Sequence, residues 1–124
     1  MSARILLVDD HEVVRRGVKL LLQNQAGWEV CGEAQNGKEA IDQVVNLKPD
    51  LVILDLSMPV MGGLEAAREI RRVAPGTKIL IFTMHDSPRL AAEVERAGAD
   101  GYVSKTALSA ELQKTITNLL ASRN

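Results

Sequence analysis

Short apolar runs alternate with longer amphipathic stretches along the chain, a pattern typical of repeated strand–helix units. Three of the runs are unbroken, as expected for strands that a parallel sheet buries on both faces: residues 5–8, 51–54 and 79–82. Two runs of mixed polarity, residues 29–32 and 101–104, predict edge strands. The chain is therefore predicted to be an α/β protein whose five parallel strands are covered by helices on both faces.

Five amphipathic stretches predict five helices, because their apolar side chains recur every three or four residues and so share one face. The predicted core-facing stripes are Val14, Val18 and Leu21; Ile41, Val44 and Val45; Ala67, Ile70 and Ala74; Leu90, Val94 and Ala97; and Leu108, Leu112, Ile116 and Leu119.

Residues that favour helix ends support these boundaries. Asn36 followed by Glu39 is typical of a capping box, and Ser87 followed by Pro88 predicts a cap and a first helical residue. Two glycines that come after amphipathic stretches predict left-handed helix ends: Gly27 and Gly98.

Composition narrows the class of protein. At 124 residues the chain fits one domain, and 46% hydrophobic with 25% charged residues is the balance of a globular protein. Apolar runs stay far short of the roughly 18 residues that a membrane helix needs, and no secretion signal follows Met1, so a cytoplasmic protein is expected. The lone Cys31 predicts a small buried apolar side chain in a reducing compartment.

The charge balance argues against direct contact with nucleic acid. Fifteen Lys and Arg residues against sixteen Asp and Glu residues give a net charge of −1, which is too little positive potential for sequence-independent binding. The aromatic side chains are too few for a platform that stacks bases: Trp28, Phe82 and Tyr102. We expect no DNA contact from this segment itself.

Polar side chains that follow the predicted strands carry the candidate chemistry. Asp9 and Asp10 follow the first strand, Asp55 the third, Thr83 the fourth and Lys105 the fifth. Because the carboxyl ends of parallel strands meet at one edge of a sheet, these groups are expected to converge. Three carboxylates repel one another unless a cation neutralises them, and Mg²⁺ or Mn²⁺ prefers such oxygen ligands. With the Lys105 ammonium and the Thr83 hydroxyl nearby, the set fits phosphoryl transfer to a carboxylate.

Each residue also has a structural interpretation of its own. Asp10 could be only the N-cap of the first helix, Asp55 a turn carboxylate and Thr83 a partner of a loop amide. Lys105 could be a solvated surface charge, and Tyr102 a half-buried aromatic of an edge strand. Only the joint pattern at four strand ends favours a functional site.

The motifs at these strand ends resemble the receiver domain of bacterial two-component response regulators. They are, in order, Leu-Val-Asp-Asp-His at 7–11, Asp-Leu-Ser-Met-Pro at 55–59 with Gly-Gly at 62–63, Thr83, and Gly-Tyr-Val-Ser-Lys at 101–105. The resemblance covers residues 4–120. The segments 9–17 and 83–86 further resemble the NarL/FixJ branch, whose receivers usually precede a helix-turn-helix DNA-binding domain.

This resemblance implies a flavodoxin-like (CheY-like) doubly wound sheet with strand order 2-1-3-4-5 and five helices. It also implies one receiver domain over residues 1–124, with the DNA-binding output domain absent from this chain. Such a domain is a signalling switch and not a metabolic enzyme, with slow self-dephosphorylation as its only chemistry. Its partner is expected to be a sensor histidine kinase, and the face made by the fourth helix, fifth strand and fifth helix is expected to form a homodimer.

The resemblance also assigns roles to residues. Asp55 is expected to accept the phosphoryl group. Asp9 and Asp10 are expected to hold the metal ion together with Asp55 and the backbone carbonyl of Ser57. Lys105 is expected to contact the phosphoryl group.

A two-state switch is implied in the same way. The Thr83 hydroxyl is expected to move toward the phosphoryl group while the Tyr102 ring fills the space that it leaves. Met84 stands where many receivers have a small residue, and Thr106 where many have proline, so the geometry of the bond between Lys105 and Thr106 stays open. Three residues are expected to tune access to the acceptor: Ser57, Met84 and His85.

Three other interpretations remain open from the sequence. A magnesium-dependent phosphatase of the haloacid-dehalogenase type would need a second aspartate two residues after its nucleophile, where this chain has Ser57. A flavodoxin-like nucleotide binder would carry a glycine-rich phosphate loop after the first strand, where this chain has Asp9 and Asp10. A stand-alone or degenerate receiver would act as a protein-interaction module.

Overall fold

Strands and helices alternate along the chain, of which the computed structural model describes residues 2–84, 87–106 and 109–122. The strands are β1 (Ala3–Val8), β2 (Trp28–Ala34), β3 (Leu51–Asp55), β4 (Lys78–Thr83) and β5 (Gly101–Ser104). The helices are α1 (Glu12–Gln23), α2 (Gly37–Leu47), α3 (Gly63–Val73), α4 (Leu90–Arg96) and α5 (Ser109–Ala121). Two residues of the predictions above, His85 and Leu108, lie outside the described residues.

The five strands form one parallel sheet with the order β2-β1-β3-β4-β5. The predicted strand order is therefore confirmed, and β2 and β5 are the edge strands. In this order the winding reverses between β1 and β3, and ligands of such sheets bind outside the carboxyl ends of the strands at that point. The register sets Asp55 beside Phe82 and Thr83 beside Ser104, so the ends of β3, β4 and β5 reach the same edge.

The apolar core has two parts, one on each face of the sheet. Leu6 and Val52 belong to the part that α2, α3 and α4 cover, whereas Ile5 and Ile53 belong to the part that α1 and α5 cover. Successive strand residues point to opposite faces, so each unbroken apolar run fills both parts. This confirms helices on both faces. Within the described ranges, no helix has the length and apolar composition needed to cross a membrane.

Two details of the predicted core are wrong. Val45 is 53% exposed, because it lies about 100° around α2 from the buried Val44. In α1, Leu21 packs against the core as predicted, although it is only partly buried, and the fully buried residue is Leu22, which the prediction omitted. Cys31 is half-buried instead of buried, since an edge strand is covered less completely than the central ones. The desolvation that accompanies this partial burial raises the pKa of the Cys31 thiol.

Two predicted helix ends are confirmed. Asn36 caps α2, and its side-chain oxygen accepts a hydrogen bond from the backbone N–H of Glu39. The Glu39 carboxylate in turn accepts from the backbone N–H of Gln35. Gly98 follows the C-cap Ala97 of α4 and has a φ of 83°, the left-handed conformation that glycine adopts at least cost.

Two other boundaries differ from the prediction. Gly27 has a φ of 88°, but α1 already ends at Gln23, so this glycine forms the turn into β2 instead of the helix end. The side-chain cap expected at Ser87 is also wrong. A turn separates Ser87 from α4, and its backbone carbonyl accepts from the N–H of Leu90, the first helical residue.

Candidate functional site

Acidic side chains and one lysine converge at the carboxyl edge of the sheet. Asp9 follows β1, Asp55 is the last residue of β3, and Lys105 follows β5. Ligand atoms of Asp9, Asp10, His11 and Asp55 all lie within 4.8 Å of one another. The predicted convergence of Asp9, Asp10, Asp55 and Lys105 is therefore confirmed. His11 is a member of the cluster that the sequence analysis did not single out.

Lys105 is buried between two carboxylates. Its Nζ lies 2.7 Å from Asp9 Oδ2 and 3.2 Å from Asp55 Oδ1, and its side chain is only 8% exposed. Nζ also lies 5.9 Å from the centre of the Phe82 ring. The interpretation of Lys105 as a solvated surface charge is wrong. The Lys105 ammonium therefore forms ion pairs with both Asp9 and Asp55.

The side chains of the site carry more negative charge than the Lys105 ammonium neutralises. Desolvation by burial raises the pKa of Asp55, and the neighbouring charge of Asp9 raises it further. The Lys105 ammonium and the backbone N–H of Ser57 favour the ionised form but only partly offset these effects. Three carboxylates against one ammonium leave an excess of two negative charges, which a divalent cation would match.

The β1–α1 loop fixes the orientation of the two neighbouring aspartates. Asp9 Oδ1 accepts a hydrogen bond from the backbone N–H of His11 at 2.9 Å, and α1 begins at Glu12 with His11 as its N-cap. The interpretation of Asp10 as that cap is therefore wrong, because the helix starts one residue too late for it. Asp10 lines the cavity described below, and its Oδ1 lies 3.2 Å from His11 Nδ1.

Arg15, which the sequence analysis did not single out, also stabilises the β1–α1 loop. Arg15 Nη1 donates to the backbone carbonyl of Asp9 at 2.6 Å, while its Nε donates to Glu33 Oε1 at 3.0 Å. The Arg15 side chain is largely buried against β2. The sequence near Arg15 did not indicate this role, because its partner Glu33 lies 18 residues away on the edge strand β2.

The β3–α3 loop folds tightly against the end of β3. The backbone N–H of Gly63 donates to the carbonyl of Leu56 at 2.8 Å, and a Cβ at Gly63 would lie 2.2 Å from the Asp55 carbonyl oxygen. Val60 at the loop tip has a φ of 68°, with a hydrogen bond from Met61 N–H to the Pro59 carbonyl across it. A β-branched residue in this conformation is strained, which the sequence pattern did not indicate.

A cavity of about 280 Å³ opens over Asp55. Its other lining residues are Asp10, His11, Ser57, Met84 and Lys105. Met84 is 63% exposed, so its flexible thioether stands at the rim. The cavity is large enough for a phosphoryl group with waters, and its lining includes both carboxylates and an ammonium.

The two residues of the predicted switch lie on adjacent strands. Thr83 ends β4 and is buried, whereas Tyr102 on β5 is 37% exposed, which agrees with the half-buried position that an edge strand suggested. The Thr83 carbonyl accepts from the backbone N–H of Lys105 at 2.7 Å, which links the two strand ends. No peptide bond between described residues is cis, so the bond between Lys105 and Thr106 is trans.

Several known proteins are similar to this chain in fold and in sequence. The chain matches the response regulator receiver domain family over residues 5–117. It is 41% identical over 119 residues to the response regulator UvrY of Escherichia coli K12, an alignment that takes in 96% of this chain and 55% of UvrY. A two-component response regulator of the LuxR family from Aurantimonas sp. SI85-9A1 superposes with a TM-score of 0.94 and 43% identity, covering 100% of this chain and 89% of that one.

A third neighbour is the isolated REC domain of RcsB from Salmonella enterica serovar Typhimurium, whose structure was determined in the presence of the phosphomimetic BeF₃⁻. It superposes with a TM-score of 0.90 and 25% identity, covering 100% of this chain and 92% of that one. All three relatives are response regulators or parts of them.

The chain belongs to the response regulator receiver domain family. It is a receiver domain of the two-component type, a signalling switch instead of a classical enzyme, and its LuxR-family relatives confirm the resemblance to the NarL/FixJ branch. The flavodoxin-like fold is confirmed as well. The chain spans about half the length of the curated relative UvrY.

Proposed function

We propose that Asp55 is the phosphoacceptor of this receiver and that a sensor histidine kinase is the donor. The carboxylate oxygen of Asp55 attacks the phosphorus of a phosphohistidine, the P–N bond breaks, and the imidazole leaves with the bonding electron pair and takes up a proton. The buried contact between Lys105 Nζ and Asp55 Oδ1, at 3.2 Å, is the observation that carries this proposal. It places a fixed positive charge where phosphoryl oxygens would arrive.

The donor set also fits a magnesium or manganese ion. Asp9, Asp10 and Asp55 offer carboxylate oxygens within 4.8 Å of one another, and the charge excess described above demands a cation. When bound, such an ion neutralises charge on the transferring phosphoryl group. We assign Asp9, Asp10, Asp55 and the Ser57 backbone carbonyl to this ion. Ser57 lines the same cavity.

Phosphorylation would convert the site from a repelling acid cluster into a binding site for Lys105 and Thr83. The new group adds about 1.5 to 2 negative charges and three acceptor oxygens. Thr83 is buried at the end of β4 next to Lys105, close to the acceptor strand. A movement of Thr83 toward the phosphoryl group would let the exposed Tyr102 ring turn inward and change the face formed by α4, β5 and α5.

The altered face would control a homodimer and, in the whole regulator, a DNA-binding output domain. The length of UvrY, of which this chain matches 55%, supports an additional domain in the full protein. Transcription control then follows from phosphorylation without any DNA contact by the receiver itself. The chemistry of the receiver is limited to accepting the phosphoryl group and slowly hydrolysing it.

A phosphatase function is less well supported. An enzyme of that type needs a second acid near its nucleophile to protonate the leaving group. Ser57 occupies the position two residues after Asp55, and a serine hydroxyl cannot serve as an acid at neutral pH.

Beryllium fluoride with Mg²⁺ tests the proposed site without a kinase. We expect amide NMR signals of Asp55, Thr83, Tyr102 and Lys105 to shift together, and the shifts to vanish in Asp55→Asn. Asp42→Asn, an exposed position on α2, is the matched control and should respond like the unaltered chain. Identical spectra before and after addition would contradict the proposal.

A further inference from the structure

Arg15 contacts the main chain of Asp9 and an acid on the edge strand β2. Its Nη1 donates to the Asp9 carbonyl at 2.6 Å, and its Nε donates to Glu33 Oε1 at 3.0 Å. The Arg15 side chain is only 11% exposed. Because a guanidinium is planar and its donors point in fixed directions, two acceptors hold it in one orientation. The Asp9 carbonyl is therefore tied to β2, a strand that lies outside the acid cluster.

The Asp9 carbonyl belongs to the peptide group that joins Asp9 to Asp10. A peptide group is planar, so a hydrogen bond that fixes its carbonyl also fixes the direction in which the chain enters Asp10. The Asp9 carboxylate is held separately, by the backbone N–H of His11 at Oδ1 and by Lys105 Nζ at Oδ2. Arg15 thus sets how the two neighbouring carboxylates are oriented relative to each other.

The next residue, Arg16, has the same charge but none of these contacts. Its side chain is 70% exposed, and its Nη2 lies 3.2 Å from Glu12 Oε1, one turn earlier on α1. Ion pairs this exposed contribute little to stability. Two adjacent arginines on one helix therefore differ in burial and in partner, which makes Arg16 a matched control for Arg15.

We propose that Arg15 is a positioning residue for the metal site, which holds the peptide plane between Asp9 and Asp10 so that both carboxylates face one ion, and that Glu33 holds Arg15 in place. This inference rests on the metal site of the proposed function and adds the residues that set its affinity for Mg²⁺. Groups that orient metal ligands typically change metal affinity by about 10- to 100-fold.

The charge of Arg15 acts in the opposite direction. A guanidinium close to a cation site repels the cation, so its removal would tighten Mg²⁺ binding if charge were its only influence. Loss of positioning instead weakens Mg²⁺ binding. The sign of the change therefore separates the two effects.

NMR titration with Mg²⁺, followed at the amides of Asp55 and Lys105, measures that sign. In Arg15→Met we expect the Mg²⁺ affinity to fall by about tenfold, whereas in Arg16→Met it should stay within about twofold. An affinity of Arg15→Met equal to or above that of the unaltered chain would overturn the inference and leave the metal site in place. If the unaltered chain bound no Mg²⁺, the metal site of the proposed function would fall, and the inference with it.

The acidic partners supply a second pair of variants that leaves Arg15 itself in place. Glu33→Gln and Glu12→Gln each remove one negative charge from the partner of an α1 arginine. We expect Glu33→Gln to lower the Mg²⁺ affinity severalfold, because Arg15 loses its ionised partner. Glu12→Gln should change it by less than about twofold. Equal effects of the two substitutions would contradict a role for Glu33.

Amide hydrogen exchange in the metal-free chain reports on the loop without any cation. The backbone N–H of His11 donates to Asp9 Oδ1, so Arg15→Met should speed its exchange more than that of Leu22, a buried residue of the same helix. An equal acceleration at both amides would show general destabilisation and would overturn the positioning role.

Discussion

Lys105 Nζ lies 2.7 Å from Asp9 Oδ2 and 3.2 Å from Asp55 Oδ1, so one ammonium joins the carboxyl ends of β1, β3 and β5. The three side chains are separated by up to 96 positions in the sequence. Their meeting depends on the strand order, which brings β1 and β3 together and carries β5 close enough for a long side chain to reach across β4. The site is thus a direct product of the doubly wound topology.

Replacing Lys105 should weaken the fold and strengthen cation binding. We expect Lys105→Met to lower the free energy of unfolding by about 1 to 3 kcal/mol, because two buried acids lose their shared partner. Removing a competing cation should also tighten Mg²⁺ binding. Urea unfolding with and without Mg²⁺ measures both effects. Lys19→Met is the control, since Lys19 makes only a long, exposed contact with Glu33 and should change neither quantity appreciably.

The raised pKa of Asp55 predicts a stability that depends on pH. Burial and the charge of Asp9 hold this pKa above its ordinary value of 3.8, so the folded chain binds the proton more tightly than the unfolded chain. The stabilisation from this proton is fully present below the unfolded pKa and is lost as the pH rises through the folded pKa. At neutral pH, Asp55→Asn should therefore melt at a higher temperature than the unaltered chain.

The comparison of the unaltered chain with Asp55→Asn at several pH values controls for other effects of the substitution on stability. The advantage of Asp55→Asn should shrink as the pH falls through the folded pKa of Asp55, and Mg²⁺ should narrow it at neutral pH. Thermal unfolding from neutral pH down through the folded pKa of Asp55, with Asp42→Asn in parallel, measures this difference in melting temperature. An advantage that did not vary with pH would show that the acid cluster carries no electrostatic strain.

The close contact at Gly63 predicts a large penalty for a single methyl group. A Cβ there would lie 2.2 Å from the Asp55 carbonyl oxygen, so Gly63→Ala should destabilise the chain by about 3 kcal/mol. A Cβ at Gly17 on α1 would have nothing within 4 Å apart from its chain neighbours and the backbone of its own helix, and Gly17→Ala should stabilise the chain by about 0.5 to 1 kcal/mol. Denaturant unfolding of both variants compares them, and equal effects would refute the close packing of the β3–α3 loop.

Met84 at the rim of the cavity should slow small phosphodonors. Its thioether is exposed and lines the approach to Asp55, so Met84→Ala should react severalfold faster with acetyl phosphate. Val13→Ala serves as the control, because Val13 is also exposed but does not line that cavity. Equal rates for the unaltered chain and Met84→Ala would exclude Met84 as a barrier.

Most of the fold was predictable, because strands buried on both faces require unbroken apolar runs in the sequence. The unbroken apolar runs that form β1, β3 and β4 are typical of strands with both faces covered, and their residues are buried. The outer limits of each helix face were harder to predict. Val45 lies four residues after Ile41 and so falls within the spacing of one apolar stripe, yet it lies at the margin of that stripe and is exposed.

The site was predictable only where topology alone decides position. Asp55 and Lys105 follow strands, and strand ends of a parallel sheet must meet. Arg15 and His11 lie on α1 or at its start, and their contacts depend on side-chain rotamers and on the exact residue at which the helix begins. The strain at Val60 is likewise a property of the folded loop, which no residue preference for valine would indicate.

Covalent phosphorylation of Asp55 tests the central claim most directly. Intact-protein mass is measured after incubation with acetyl phosphate and Mg²⁺, beside Asp55→Asn and a sample from which the metal is chelated. The account predicts one added phosphoryl group in the unaltered chain and none in either control. A phosphoryl group retained in Asp55→Asn, or formed equally well without metal, would contradict the assignment of Asp55 as a metal-dependent phosphoacceptor.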